Sequence, residues 1–198
     1  MVVKERPIIF SAPMVRALLE GRKSMTRRIV KPQPKEWAAN SNGSWPIEWV
    51  GEKAVPLSCP YGSPGDRLWV RETHWINEEE AIVEYREEGE MPEHMQGERW
   101  RPSIHMPRWA SRITLEITGV RVERVQDITP ADCECEGITG KTLASPVRGL
   151  PYEEYSNGDG IIYTEPRLAF RALWDSIHGD GAWERNEWVW VISFKVMP

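Results

Sequence analysis

The chain has 198 residues, enough for one domain with a real core. Its 25 Lys and Arg against 30 Asp and Glu leave a net charge of -5, which excludes a global polycation; nucleic acid would have to be gripped through a local basic patch. The longest apolar run, Trp188 to Phe194, falls far short of the roughly 20 residues of a membrane span. The N-terminus has no signal-peptide layout, and three cysteines without metal-type spacing point to a reduced, cytoplasmic setting with no metal or cofactor.

In chain order, Pro7 to Phe10 predicts a short entering strand. Ser11 is placed to cap a helix with Pro13 in its first turn and Met14, Ala17 and Leu18 on one face, and Gly21 supplies the stop. Met25 to Lys31 is extended, with Thr26, Arg28 and Val30 on one face and Met25, Arg27 and Ile29 on the other. Pro, Gly, Asn and Ser over about 35–64 predict a long irregular excursion, and Arg67 to Glu72 a strand after the Gly65-Asp66 turn. The acidic stretch 77–103 reads as an insertion with a hairpin around Ile82 to Tyr85.

Ile113, Leu115 and Ile117 alternate, and Val120, Val122 and Val125 follow Gly119, as in a strand pair or one bent strand. Thr129, Pro130 and Asp132 open a short helix that stops at Gly137. Residues 139–163 read as a further loop-rich excursion. Phe170, Leu173, Trp174 and Ile177 share one face of a helix closed by Gly179, and Trp188 to Val196 predicts a central apolar strand. This order suggests an α+β fold, a single domain over 1–198: a small bent or closed sheet with short helices at its ends and insertions at about 35–64, 77–103 and 139–163.

Chemistry concentrates at 19–28, where Arg22, Lys23, Arg27 and Arg28 accompany Ser24 and Thr26. Lys23 and Thr26 lie three apart across a helix-to-strand turn, so a lysine with a lowered pKa has a threonine hydroxyl within reach as nucleophile. The plain alternative is one ordinary turn residue and one ordinary strand residue. Glu134 and Glu136 sit where the dipole of the short helix disfavours an anion, so each is either surface decoration or held by a partner, the cations of 19–28 being the natural ones. Arg22 and Arg27 are expected to face solvent. Arg108 suits phosphate, and Trp69 and Trp109 suit base stacking, although a tryptophan at Trp109 also suits a structural anchor. His74, His94 and His178 show no partner pattern, and Cys59 has no visible histidine partner for a nucleophilic role.

The stretch Gly21-Arg22-Lys23-Ser24-Met25-Thr26-Arg27-Arg28 resembles the Gly-x-Lys-x-x-Thr-x-Arg signature of the ASCH family. Gly65 to Val70, Val120 to Val125, Glu134 to Gly137 and Trp188 to Phe194 follow in that family's order, and Cys59 to Glu72 and Ser103 to Arg112 are similar to its phage and prophage members. The resemblance spans 8–196 and implies a PUA-like β-barrel that binds or acts on nucleosides or RNA. By likeness to small bacterial N4-acetylcytidine amidohydrolases it implies Lys23, Thr26 and Glu136 as catalytic, with Glu134 the alternative acid; Arg28, on the strand face of Thr26, is expected to hold substrate or structure the pocket. A non-catalytic RNA-binding module and a ribonuclease are the other functions the same resemblance allows.

Overall fold

The computed structural model describes residues 2–40, 43–50, 53–77, 82–86, 99–144 and 151–198. The expected position His94 and the acidic runs at 78–81 and 87–98 lie outside them. A five-stranded mixed sheet forms the centre, built from β1 (Glu5–Ile9), β2 (Met25–Ile29), β6 (Arg67–Arg71), β9 (Thr114–Arg124) and β12 (Trp188–Val196) in the order β1-β6-β9-β12-β2. The helices are α1 (Ala12–Leu19), α2 (Pro130–Cys135) and α3 (Pro166–His178), so the fold is α+β with most of its order in strands.

β12 is central because it is apolar on both faces. Trp190, Ile192 and Phe194 enter one core with Phe10, Leu18, Leu68 and Leu115. Val189 and Val191 enter a second core with Val125, Cys133, Phe170 and Trp174, beneath α2 and α3. The two-residue period of a strand makes this division unavoidable once both faces are covered. β9 pairs with β12 along its whole length and is one strand, not two. Its bend is a register shift at Ser193/Phe194, opposite Gly119.

The sheet curls until its outer strands approach. Arg28 of β2 donates from Nη2 to the Ile9 carbonyl of β1 at 2.7 Å, with its guanidinium 5.3 Å from the centre of the Phe10 ring. No ladder joins β1 to β2 among the described residues, so a side chain, not backbone pairing, spans the gap.

The stretches expected to be irregular hold strands. Residues 35–64 contain an antiparallel sheet of β3 (Glu36–Asn40), β4 (Gly43–Val50) and β5 (Lys53–Pro56). Residues 139–163 contain a hairpin of β10 (Thr139–Ala144) and β11 (Pro151–Ser156). These strands are short and interrupted by Gly and Pro, which hides the alternation that would announce them. β7 (His74–Asn77) pairs with β8 (Ile82–Tyr85) as the expected hairpin. Ser11 occupies the N-cap of α1 but its side chain makes no capping bond, whereas Thr129 caps α2 by accepting from Asp132 N–H at 3.1 Å.

Candidate functional site

Two helix C-termini meet at the site. α1 ends through Gly21, whose φ of +71° turns the chain so that the N–H groups of Arg22 and Lys23 both bond the Ala17 carbonyl at 2.9 Å. Lys23 is thereby aimed inward and is 1 % exposed. α2 ends at Glu136, followed by Gly137 with φ of +102°. Ser24 N–H bonds the Cys135 carbonyl at 2.9 Å, which ties the two turns together. A Cβ at Gly137 would lie 3.2 Å from Ala17 Cβ, so glycine is what permits the two helix ends to abut.

Across this junction Lys23 Nζ donates to Glu136 Oε2 and to the Glu136 backbone carbonyl, each at 2.7 Å. The second Glu136 oxygen, Oε1, accepts from Arg27 Nη1 at 3.2 Å. The glutamate at the disfavoured end of α2 is therefore held by two cations, while Glu134 is exposed.

Arg27 departs from the expected solvent-facing position. It is 3 % exposed, because α2 and α3 cover the β2 face that carries it. Its guanidinium also bonds Asp132 at 2.9 Å and Glu123, and it lies 5.8 Å from the Phe170 ring centre. Arg121 closes the network by donating to Glu123 at 3.0 Å and Asp132 at 2.9 Å. Glu123 and Arg121 carry no local signal in the sequence, and Asp132 is marked there only as part of the start of α2. Arg22, in contrast, is exposed and pairs with Glu20.

Burial is the largest influence on Lys23 and pulls its ammonium pKa below the usual lysine value, with Glu136 opposing and Arg28 and Arg27 reinforcing the fall. Burial likewise opposes the charge of Arg27, but Glu136, Glu123 and Asp132 together outweigh it and raise the pKa. Lys23 is thus the cation of the network most readily made neutral. A neutral amine still has two N–H groups for the two Glu136 oxygens and retains a lone pair.

Thr26, on β2 opposite Ile192, is 2 % exposed and borders a narrow cleft with Arg27, Arg28 and Glu136. The opposite wall is α3, through Phe170, Leu173, Trp174, Ile177 and His178. The cleft volume is about 20 Å³, room for roughly one water molecule. Among the described residues the Thr26 hydroxyl makes no hydrogen bond, so both visible bonds of Lys23 go to Glu136 and none to Thr26. Two open grooves of about 560 and 590 Å³ lie elsewhere, one along Arg22, Glu134 and Lys141, the other along Arg6, Cys59 and Asp66. Neither is lined by Lys23, Thr26 or Glu136.

The remaining expected contacts stand apart from the cleft. Trp69 is buried on β6, with Arg71 4.8 Å and Arg108 5.9 Å from its ring. Arg108 donates to Glu5 at 3.0 Å, and Trp109 beside it is 61 % exposed. Arg112 holds the buried Glu72 with two bonds of 3.2 and 2.9 Å and stacks over Tyr85. His74 is fully buried with Nδ1 3.0 Å from the Glu72 carbonyl. Cys133 belongs to the second core, where burial pushes its thiol pKa up to about 12, and burial also raises that of Cys59.

Among the described residues no three His, Cys, Asp or Glu side chains cluster as metal ligands do, and no helix is long and apolar enough to cross a membrane. Comparison of the chain with family models, with curated proteins and with solved structures returns no match.

Proposed function

We propose that the protein is an amidohydrolase of the ASCH type, built on a PUA-like barrel, that removes a small acyl group from the exocyclic amine of a modified pyrimidine such as N4-acetylcytidine. The observation that carries this reading is a buried lysine of lowered pKa whose partner, Glu136, borders a cleft together with Thr26. Thr26 Oγ attacks the acyl carbon and its proton passes to the Lys23 amine. Collapse of the tetrahedral intermediate breaks the C–N bond, with the proton delivered to the leaving amine through Lys23 and Glu136. Water then releases the acyl group from Thr26 as a carboxylate. Lys23 and Thr26 must close on one another in the complex, a tightening common to sites whose free form has long catalytic contacts.

A cleft with room for about one water cannot bury a nucleoside, so it must widen to take the acyl group and the base lies at the mouth. The test is incubation with N4-acetylcytidine, with cytidine and acetate followed by chromatography. Thr26→Val keeps the shape of the side chain and leaves the Lys23–Glu136 pair intact, and should lower the rate by about a hundredfold or more. A Thr26→Val protein that hydrolyses the substrate as fast as wild type sinks the reading.

Binding of RNA without chemistry is the second reading. The missing Lys23–Thr26 hydrogen bond and the exposed Trp109 next to Arg108 favour it. Affinity for single-stranded RNA that falls steeply with salt, with no turnover of acylated cytidine, would select it.

A further inference from the structure

Two N–H groups in the cleft wall have no acceptor. Trp174 is 3 % exposed, and its indole Nε1–H is buried without a hydrogen-bond partner. The Nε–H of Arg28 is in the same condition, and both side chains line the cleft bordered by Thr26. Among the described residues only Arg71 Nε and His74 Nε2 are comparable buried nitrogens, and neither residue lines this cleft. A buried donor without an acceptor is costly, and these two belong to residues that line one cleft.

Charge indicates which acceptor. Lys23 and Arg27 have carboxylates, and Glu136 is already divided between them. Arg28 has none among the described residues: its Nη2 bonds a backbone carbonyl and its plane rests near Phe10. His178, stacked 4.2 Å from Trp174 on the same wall, adds no acceptor charge; burial, then Arg28, hold its pKa down and favour the neutral ring. A guanidinium and an indole are donors only, so the partner must bring oxygens and is best matched by a negative charge. The other walls, Met14, Leu173 and Ile177, are apolar and suit an alkyl end.

We propose that this cleft binds a short-chain carboxylate, its oxygens accepting from Arg28 Nε and Trp174 Nε1 and its alkyl end lying against Met14, Leu173 and Ile177. Both nitrogens are shut off from water, so the cleft must widen to admit the carboxylate. That the carboxylate is the released acyl group rests on the hydrolytic reading; the binding itself does not.

The test is titration of the ¹⁵N-tryptophan-labelled protein with sodium acetate, propionate or inorganic phosphate, against sodium chloride at equal ionic strength. The resonance of the Trp174 indole is identified by its loss in Trp174→Phe, with the remaining ten of the eleven tryptophans reporting an intact fold. Acetate and propionate should shift that resonance saturably while chloride does not, and calorimetry on Trp174→Phe should show acetate binding weakened by about tenfold or more. Overturning results are no saturable shift with either carboxylate, unchanged acetate binding by Trp174→Phe, or a response to phosphate alone. Carboxylate binding without turnover of acylated cytidine would leave the seat standing and remove the hydrolytic reading. Turnover without carboxylate binding would do the reverse.

Discussion

Glu136 accepts from Lys23 twice, through its carboxylate and through its own backbone carbonyl, both at 2.7 Å and across 113 residues of sequence. The backbone contact places Lys23 at the C-terminus of α2, and the carboxylate contact joins it to the network of Arg27, Asp132, Glu123 and Arg121. One residue thus fastens the two turns on which the candidate site is built.

Removing that residue leaves two buried cations short of a partner. Glu136→Ala is expected to destabilise the protein by about 3–5 kcal/mol in urea unfolding, and Glu136→Gln by less, since the amide oxygen still accepts. The double variant Lys23→Met, Glu136→Gln should cost less than the sum of its single changes, because the contacting pair is lost together. Additive losses would show that the pair is not coupled.

Two glycines with positive φ should respond differently to alanine. Gly21, with φ of +71°, has nothing within 4 Å of the point where a Cβ would stand, and should lose only the conformational preference, about 1 kcal/mol. Gly137, with φ of +102°, adds a 3.2 Å approach to Ala17 Cβ and should lose more. Thermal unfolding of Gly21→Ala and Gly137→Ala ranks the two, and equal losses would remove the steric argument at the helix junction.

The depressed pKa of Lys23 has a definite sign in stability against pH. Between its folded value and the unfolded value of about 10.4 the unfolded chain holds a proton that the folded chain lacks, so stability rises with pH across that window. The penalty is absent above the unfolded value and complete below the folded one. Cys133 runs the other way at alkaline pH, since its folded thiol is raised to about 12. Wild type compared with Lys23→Met cancels the cysteine, and the difference in unfolding free energy should move in favour of wild type as pH rises. A flat difference would mean that Lys23 titrates alike in both states.

Thiol labelling separates the three cysteines. Cys133 is fully buried with its pKa raised, so it should react with iodoacetamide only on unfolding, while the half-buried Cys135 reacts in the native protein and the half-buried Cys59, its thiol pKa also raised by burial, reacts more slowly. Peptide mass spectrometry at pH 8 reads the order. Labelling of Cys133 without unfolding would contradict the packing of the second core.

Much of the architecture was legible in the chain because certain segments carry their own periodic signal. The apolar face of α3, the alternation along β9 and the unbroken run of β12 each follow from local spacing, and Gly21, Thr129 and Gly179 mark helix ends by conformational chemistry that neighbours do not alter. β3–β5 and β10–β11 were not legible, since pairing with a neighbouring strand makes them, and Gly and Pro break their pattern.

For the site, local spacing alone put Lys23 and Thr26 on either side of one turn, and put Glu134 and Glu136 alike at the end of α2, where a carboxylate is either surface decoration or held by a cation. Which cations answer depends on how distant segments fold together. A strand's period says that Arg27 and Arg28 point to opposite faces but not which faces are covered, and α2 and α3 cover that of Arg27. The same holds for Trp174: its place on the apolar stripe of α3 was plain, but a donor without an acceptor becomes visible only when the opposing wall, β2 with Thr26 and Arg28, is folded against it.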